Sequence, residues 1–424
     1  MDSNQSILQR VNPISNTGKM TIFQLAGIGD QDFISITKKL NLTYEKTQGS
    51  TSIKSIPEEK ILSQIIMEVR YRTIEALFEK TGYNTIIDLP CGFTPRGLSI
   101  SSKGKKYIGL DLPQTIEEFN PVIQSLIEEN KDKYSNLHYY GVDATNLTSL
   151  EKALEGINEP ICITTEGLLM YFTQSEISTL CDNIYHILKR HGGCWITADP
   201  EASLQYIMTA QPLFKERFME IMAKSKKRTE EKADVEVGVN PLIIKAGDKF
   251  AENIKNAMIF LSSHGLKAER LNIGDYMPEI STLSNIKKEE AEAIKQKMNN
   301  CAYWKITILE NNKMPDINKE IKEDKFDISS ELKEEKLILK VTGRIDTLTA
   351  PQMLSLYEKI KSENKIKSVL IDCEHLNYVS SAGLRVFKIM KNDLEEGVEI
   401  SNVNKTILDI IKQSKFDEIL KIIN

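Results

Sequence analysis

Residues 85–113 read TIIDLPCGFTPRGLSISSKGKKYIGLDLP. Ile86 and Ile87 end a short apolar run, and Asp88-Leu89-Pro90-Cys91-Gly92 follows as a tight turn. Gly97-Leu98-Ser99-Ile100 starts a helix, and Tyr107-Ile108-Gly109-Leu110 forms a second buried strand closed by Asp111. A strand, a Gly-containing turn, a helix and a strand ending in a carboxylate about 20 residues on make the nucleotide-binding βαβ pattern. Gly92 lets the backbone come close to a ligand, and Asp111 can accept both hydroxyls of a ribose. The G-x-G-x-x-G spacing is missing, however, with Pro90 and Cys91 standing where a glycine and a spacer belong. Without that cradle of amide groups a pyrophosphate is poorly held. The pattern therefore argues against NAD or FAD and for a nucleoside ligand without phosphates, of which S-adenosylmethionine is the obvious one.

Working outward, the chain has 424 residues, too many for one compact core, so two or three domains are expected. Its 41% hydrophobic and 27% charged residues are ordinary for a globular protein. The net charge of −5 offers no basic field to nucleic acid or to an anionic membrane. The densest basic run, Lys224-Ser225-Lys226-Lys227-Arg228, is followed at once by Glu230 and Glu231 and reads as a self-compensated surface. Six scattered cysteines with no C-x-x-C and five dispersed histidines with no H-E-x-x-H leave no metal-ligand spacing and no disulfide framework. The polar start MDSNQSILQR has no apolar leader, and no run of about 18 apolar residues occurs. A reducing, cytoplasmic location is the expectation.

In chain order, residues 1 to about 56 read as irregular and polar. A helix is expected from Pro57, with Ile61, Leu62, Ile65, Ile66 and Val69 at helical spacing, continuing through Arg70-Tyr71-Arg72 and Phe78 to a stop at Gly82. It precedes the first strand and either delivers an arginine towards the ligand or carries Arg70 and Arg72 as surface arginines of an amphipathic helix. Beyond the opening motif come strands over 137–142, 161–165 and 193–198, with a helix over 174–189 between the last two. Strands alternating with helices mean a doubly wound parallel sheet. Asp111, Asp143, Glu166 and Asp199 then stand at the carboxyl ends of successive strands, the edge where such sheets bind ligands. For Asp143 a helix N-cap is the competing role. A helical insertion over about 200–248 serves either as a substrate lid or as packing. Strands over 266–273 and 302–309 close the sheet as an antiparallel pair.

Residues from about 10 to 310 resemble the leucine carboxyl methyltransferase family of class I S-adenosylmethionine enzymes and its bacterial small-molecule relatives. The phrases that carry the resemblance are Ser15-Asn16-Thr17, Arg72-Thr73, Leu89-x-x-Gly92-Phe93-x-x-Arg96, Gly109-Leu-Asp111-Leu-Pro113 and Glu166-Gly167-Leu-Leu-Met170-Tyr171. The resemblance implies that Arg72 and Arg96 hold the methionine end of the cofactor and that Asp111 takes the ribose. Asp143 would contact adenine, with Glu166 beside the bound cofactor; Asp88 and Gly92 complete the cofactor set. Pro90-Cys91 departs from the family's Gly-Ala. Tyr171 is the candidate for lining the acceptor pocket.

A charged stretch over 311–326 reads as a linker. Beyond it a strand is expected over 337–343, a helix over 349–360, a buried strand over 369–372, and from His375 a turn entering a helix. Residues 327–424 resemble the STAS domain of anti-sigma factor antagonists, on the strength of Gly343-Arg-Ile-Asp346 and Tyr378-Val-Ser-Ser-Ala-Gly-Leu384. The resemblance implies a kinase-phosphorylated serine at Ser381, with Ser380 standing where an acid is usual. Either the pair is a phosphorylation switch, or Ser380 and Ser381 only cap the helix.

The expected architecture is α/β: a Rossmann-like methyltransferase domain over 1–310, the linker, and a small α/β STAS domain over 327–424. The expected activity is S-adenosylmethionine-dependent O-methyl transfer to a carboxylate or hydroxyl, with the STAS domain regulating or docking. The alternative is a non-catalytic S-adenosylmethionine sensor or anti-sigma factor antagonist signalling through the STAS domain. Expected partners are a methyl acceptor and a kinase or anti-sigma-type protein.

Overall fold

The computed structural model describes residues 7, 10–43, 57–129, 134, 136–231, 240–310 and 325–423, without the side chains of 15, 16, 57, 58 and 225–231. The expected linker falls almost wholly on 311–324 and lies outside the described residues, as do most side chains of the basic run. The chain divides into two compact units, one of residues 14–141 and 153–312, the other of 1–13, 142–152 and 313–424.

The larger unit is built on a seven-stranded sheet. Its strands are β1 (Thr85–Asp88), β2 (Lys106–Asp111), β3 (Leu137–Gly141), β4 (Ile161–Thr165), β5 (Gly193–Thr197), β6 (Leu266–Asn272) and β7 (Ala302–Ile308), in the spatial order β3-β2-β1-β4-β5-β7-β6. All neighbouring pairs are parallel except those made by β7, which runs against both β5 and β6. This is the expected Rossmann-like, doubly wound sheet with its antiparallel end. Every residue of β1 and β4 is buried, as expected for central strands of a sheet covered on both faces. Order reverses between β1 and β4, so the cleft of the sheet opens at the carboxyl ends of those two strands.

The helices of this unit are α1 (Ser15–Ala26), α2 (Gln31–Lys39), α3 (Pro57–Thr81), α4 (Arg96–Ser102), α5 (Pro113–Glu129), α7 (Gln174–His191), α8 (Ala202–Phe214), α9 (Phe218–Glu231), α10 (Phe250–Ser263) and α11 (Lys288–Met298). Between α5 and α7 runs α6 (Leu147–Ala153), whose residues before 153 count with the other unit. α7 starts with a capping box, Thr173 and Glu176 exchanging side-chain bonds with each other's backbone N–H. It buries Ile177, Leu180, Ile184, Ile187 and Leu188 as one stripe. The expectation of an irregular first segment is corrected: α1 and α2 form there, held by Ile22, Leu25, Phe33 and Ile36 in the main core. Their apolar residues are sparse and separated by polar ones, so the stripes show only against α3.

The smaller unit carries a five-stranded sheet in the order β12-β11-β10-β9-β8. These are β8 (Asp327–Lys333), β9 (Lys336–Ile345), β10 (Ser368–Val379), β11 (Gly397–Ser401) and β12 (Lys421–Ile422). With them come α12 (Ala350–Glu363), α13 (Ser381–Asp393) and α14 (Lys405–Gln413). β8 and β9 form an antiparallel hairpin and the other pairs are parallel. The turn expected from His375 is corrected to strand: β10 runs on to Val379, crossing two register shifts against β9. Those irregularities break the alternation that would have marked it. Ile7 and Val11 are buried in this unit's core beside Leu384 and Phe387. Among the described residues no helix is long and apolar enough to cross a membrane.

Candidate functional site: a chain of buried ion pairs at the switch point

The carboxyl ends of β1, β4 and β5 are joined by alternating charges. Asp88 closes β1 with no exposed surface, and its Oδ2 accepts from Arg96 Nη1 at 2.9 Å and from the Tyr107 hydroxyl at 2.7 Å. Arg96 is the first residue of α4, and its other arm donates from Nη2 to Glu166 Oε2 at 2.8 Å. Its guanidinium carbon stands 4.8 Å from the centre of the Tyr71 ring. Glu166 Oε1 lies 2.9 Å from the Tyr303 hydroxyl of β7 and 3.5 Å from Arg70 Nε of α3. Arg70 continues to Asp199 Oδ1. Burial by itself disfavours charge on both arginines, but Asp88 and Glu166 around Arg96, and Asp199 and Glu166 around Arg70, outweigh it and hold them protonated.

Asp199 is a brace. Its carboxylate accepts from the backbone N–H groups of Gly167, Leu168 and Leu169 at 2.8, 2.9 and 3.0 Å, which shapes the turn after β4 and aims Glu166. Tyr171 sits at the end of that turn, half-buried, next to Thr17 of α1; burial, the largest effect, raises its phenol above the usual value.

Asp111 closes β2 and ties down the first turn: Gly92 N–H donates to Oδ2 at 2.8 Å and Leu112 N–H to Oδ1 at 2.7 Å. Burial pushes its carboxyl up to about 6, against the pull of those two N–H groups. Gly92 has φ +56, where a side chain is strained, and a Cβ there would meet nothing within 4 Å. The backbone is thus open to an approaching ligand at the position where Asp111 has acceptor capacity left.

The two arginines of α3 part ways. Arg72 points to Glu68 at 2.9 Å and to Asp30 at 3.4 Å, not to the strand ends. Glu68 in turn accepts from Ser281 and Thr282 backbone N–H groups. Burial raises the Glu68 carboxyl, but the bonds from Ser281, Thr282 and Arg72 prevail and leave it below its usual value. Arg70, Asp199 as a brace and Tyr303 were not singled out from sequence. A signal for Arg70 existed: Ile74 and Leu77, four and seven residues on, are buried, whereas Arg72 shares its stripe with Glu68, Glu75 and Glu79.

Asp143 belongs to the smaller unit by its contacts. Its Oδ1 accepts from Thr145 N–H and hydroxyl at 2.7 and 2.6 Å, and its Oδ2 from Thr347 N–H and hydroxyl at 2.9 and 2.5 Å. The start of α6 is capped by Asn146, whose Oδ1 accepts from Ser149 N–H at 3.0 Å, so the N-cap role considered for Asp143 falls to its neighbour. In the same unit Ser380 caps α13, its buried hydroxyl accepting from Ala382 and Gly383 N–H. Ser381 is the first helical residue and is half-buried. Among the described residues no group of three His, Cys, Asp or Glu side chains could hold a metal ion.

Residues 327–424 match the family model of the STAS domain, and this part of the chain is a STAS domain. No curated protein matches the sequence. Among solved structures, an anti-sigma factor antagonist from Mycobacterium paratuberculosis is similar at 19% identity over 24% of this chain and 86% of its own, with a TM-score of 0.22. A DUF574 family protein from Streptomyces avermitilis is similar at 11% identity over 69% and 96%, with a TM-score of 0.36. Human N-acetylserotonin methyltransferase, in complex with SAM, is similar at 12% identity over 66% and 68%, with a TM-score of 0.30. The chain joins a seven-stranded, mostly parallel α/β unit to a STAS domain.

The contrast between the arginines is measurable. Arg96→Lys keeps a charge but cannot span Asp88 and Glu166, and should destabilise the larger unit by about 3–5 kcal/mol, the scale of a broken buried pair. Arg72→Lys, 30% exposed, should lose under about 1 kcal/mol. Urea unfolding followed by tryptophan fluorescence reports this unit alone, because both tryptophans, Trp195 and Trp304, are buried in it. Equal losses for the two variants would contradict the geometry.

Proposed function

We propose that the larger unit is an S-adenosylmethionine-dependent O-methyltransferase, of the leucine carboxyl methyltransferase type and acting on a small-molecule or peptide acceptor, whose STAS domain regulates or docks it. The observation that carries the reading is the rim at the switch point of the sheet. There Asp111 holds the open Gly92 turn, and three carboxylates (Asp88, Glu166, Asp199) outnumber two guanidiniums (Arg70, Arg96). One formal negative charge is left over, which suits a cationic sulfonium and repels a pyrophosphate. Within this set of ion pairs two buried polar atoms, Arg96 Nε and Asp88 Oδ1, have no partner and fit a polar ligand end.

S-adenosylmethionine, when bound, supplies a methyl group on a sulfonium that an oxygen nucleophile displaces. The residues of this chain bind and orient: Asp111 and Gly92 the ribose, Arg96 the carboxylate end, Glu166 the region beside the positive centre. The four tyrosines at the site, Tyr71, Tyr107, Tyr171 and Tyr303, have phenols pushed upward, chiefly by burial, which is the wrong direction for a base. That favours a carboxylate acceptor, which is already anionic and needs only alignment and exclusion of water. Tyr171, on the turn braced by Asp199, is the residue we assign to the acceptor pocket.

Calorimetry should show S-adenosylmethionine bound and NAD not bound. Affinity should be full above about pH 7 and fall as pH drops through about 6, because Asp111 must be ionised to accept ribose hydroxyls and its carboxyl titrates there. Asp111→Asn should weaken binding by about 1.5–3 kcal/mol and flatten that dependence. Tight NAD binding without S-adenosylmethionine binding overturns the reading. Label transfer from the cofactor into a cell extract separates an enzyme from a sensor: bound cofactor with no label transferred supports the sensor.

For the STAS domain, Ser381 is the proposed phosphorylation site, since Ser380 is the buried cap. Ser381→Asp should weaken partner binding and leave cofactor affinity unchanged, whereas Ser381→Ala should bind the partner but ignore the kinase. Phosphopeptide mapping that finds label outside Ser380–Ser381, or none, leaves the domain as a docking surface only.

A further inference from the structure

The start of the chain carries the inference. Its residues up to Pro13 belong to the smaller unit by their contacts, and the chain enters the larger unit at Ile14. Ile7, Arg10 and Val11 are helical, and the helical residues stop at Val11, two before Pro13. Ile7 and Val11 stand four apart and so share one face of a helix. Both are buried, Val11 with no exposed surface, in one cluster with Leu354 and Tyr357 of α12 and Leu384 and Phe387 of α13. Polar ties reach both helices. Arg10 pairs with Glu358 of α12, and Arg385 of α13 donates from Nη1 to the Val11 carbonyl oxygen. Asn12 Nδ2 donates to the Thr347 carbonyl oxygen, just before α12, at 3.3 Å.

Each tie selects a different property of what lies there. The apolar seat takes two side chains one helical turn apart. A carbonyl in the last turn of a helix has no partner within that helix, and a guanidinium is a favoured one, so Arg385 recognises a helix end. Glu358 selects a cation in the same turn. We propose that α12 and α13 of the STAS domain form a docking site for the carboxyl-terminal turn of a partner protein's helix, in the order apolar-x-x-basic-apolar, and that residues 7–13 are its built-in competitor. The strap has that order in Ile7-Leu8-Gln9-Arg10-Val11. It is too short to hold a helix in water by itself, so its helical form depends on the seat. A longer helix with the same pattern arrives already ordered and displaces it. The partner's apparent affinity is lowered by the fraction of chains in which the strap is seated. The inference goes beyond the proposed function and holds whatever ligand the larger unit takes.

The test uses the full chain and, as probe, a fluorescently labelled peptide of residues 1–13, read by anisotropy at low salt. Wild type should bind it weakly, because its own strap is seated. Val11→Asp unseats the strap and leaves the seat intact, so that chain should bind the peptide about tenfold tighter or more. Arg10→Glu keeps both apolar anchors but turns the attraction to Glu358 into repulsion, and should bind about threefold tighter. Adding Glu358→Lys to that chain reseats the strap with the charges exchanged, and peptide binding should return to the wild-type level or below. A peptide carrying Val11→Asp should bind none of these chains. Equal affinity for wild type and both unseated chains, no binding by either unseated chain, or undiminished binding of the Val11→Asp peptide overturns the proposal. Where the Val11→Asp chain does not fold, Arg10→Glu with and without Glu358→Lys decides.

Discussion

The larger unit depends on one constraint: five poorly solvated charges must be paired together, three carboxylates against two guanidiniums. An unpaired buried ion costs several kcal/mol, so Asp88, Arg96, Glu166, Arg70 and Asp199 are tolerable only as a complete chain. Completing it dictates local structure at four places. The turn after β1 has to return so that Arg96 opens α4 over Asp88. The turn after β4 has to fold on the Asp199 carboxylate so that Glu166 reaches both guanidiniums. α3 has to present Arg70 and not Arg72. The reversed β7 has to bring the Tyr303 hydroxyl to Glu166, a bond made possible by its pairing between β5 and β6. The rim at the carboxyl ends of β1, β4 and β5 is therefore set by the requirement that keeps the sheet edge folded, and no member can change without disturbing the others.

Much of this was legible in the amino-acid order. The alternation of short apolar runs ending in acids located β2 to β5, because buried parallel strands are read directly as continuous apolar residues. Asp111 and Gly92 were identifiable together from the spacing of the opening motif. What was hidden was pairing. Both Arg70 and Arg72 stand in one helix two residues apart, and only the burial of Ile74 and Leu77 distinguishes the inner from the outer. Asp199 looks like any acid at a strand end, and its bonds to three consecutive N–H groups depend on a turn that sequence alone does not show. α1 and α2 were missed because their apolar residues acquire meaning only once α3 is present to cover them.

In the STAS domain the two landmark phrases have one structural cause. β9 and β10 run parallel, so Arg344 pairs with Tyr378 and Ile345 with Val379, which brings the Gly343–Asp346 phrase to the foot of α13. Gly383 completes the contact: a Cβ there would lie 2.7 Å from Ile345 and 2.8 Å from Val379, so only glycine lets the helix settle on both strand ends. Each phrase is the other's packing surface.

That packing decides how a charge placed on α13 is felt. Ser380 is buried and spends its hydroxyl on the cap and its N–H on Ile345, so its environment is closed to added bulk. Ser381, one residue into the first turn, receives the positive end of the helix dipole, and a phosphate there brings about −1.5 to −2 charge. The helix end attracts that charge, but Asp346 follows Ile345 directly and sits buried beside a second carboxylate, Asp143. Added negative charge at the foot of α13 is thus drawn by the helix and repelled by the acids of the loop. The two effects differ in reach: the dipole acts within the first turn, whereas repulsion between poorly solvated charges is screened little. Of the two elements α13 is the better held, anchored by Leu384, Phe387 and Met390 in the core.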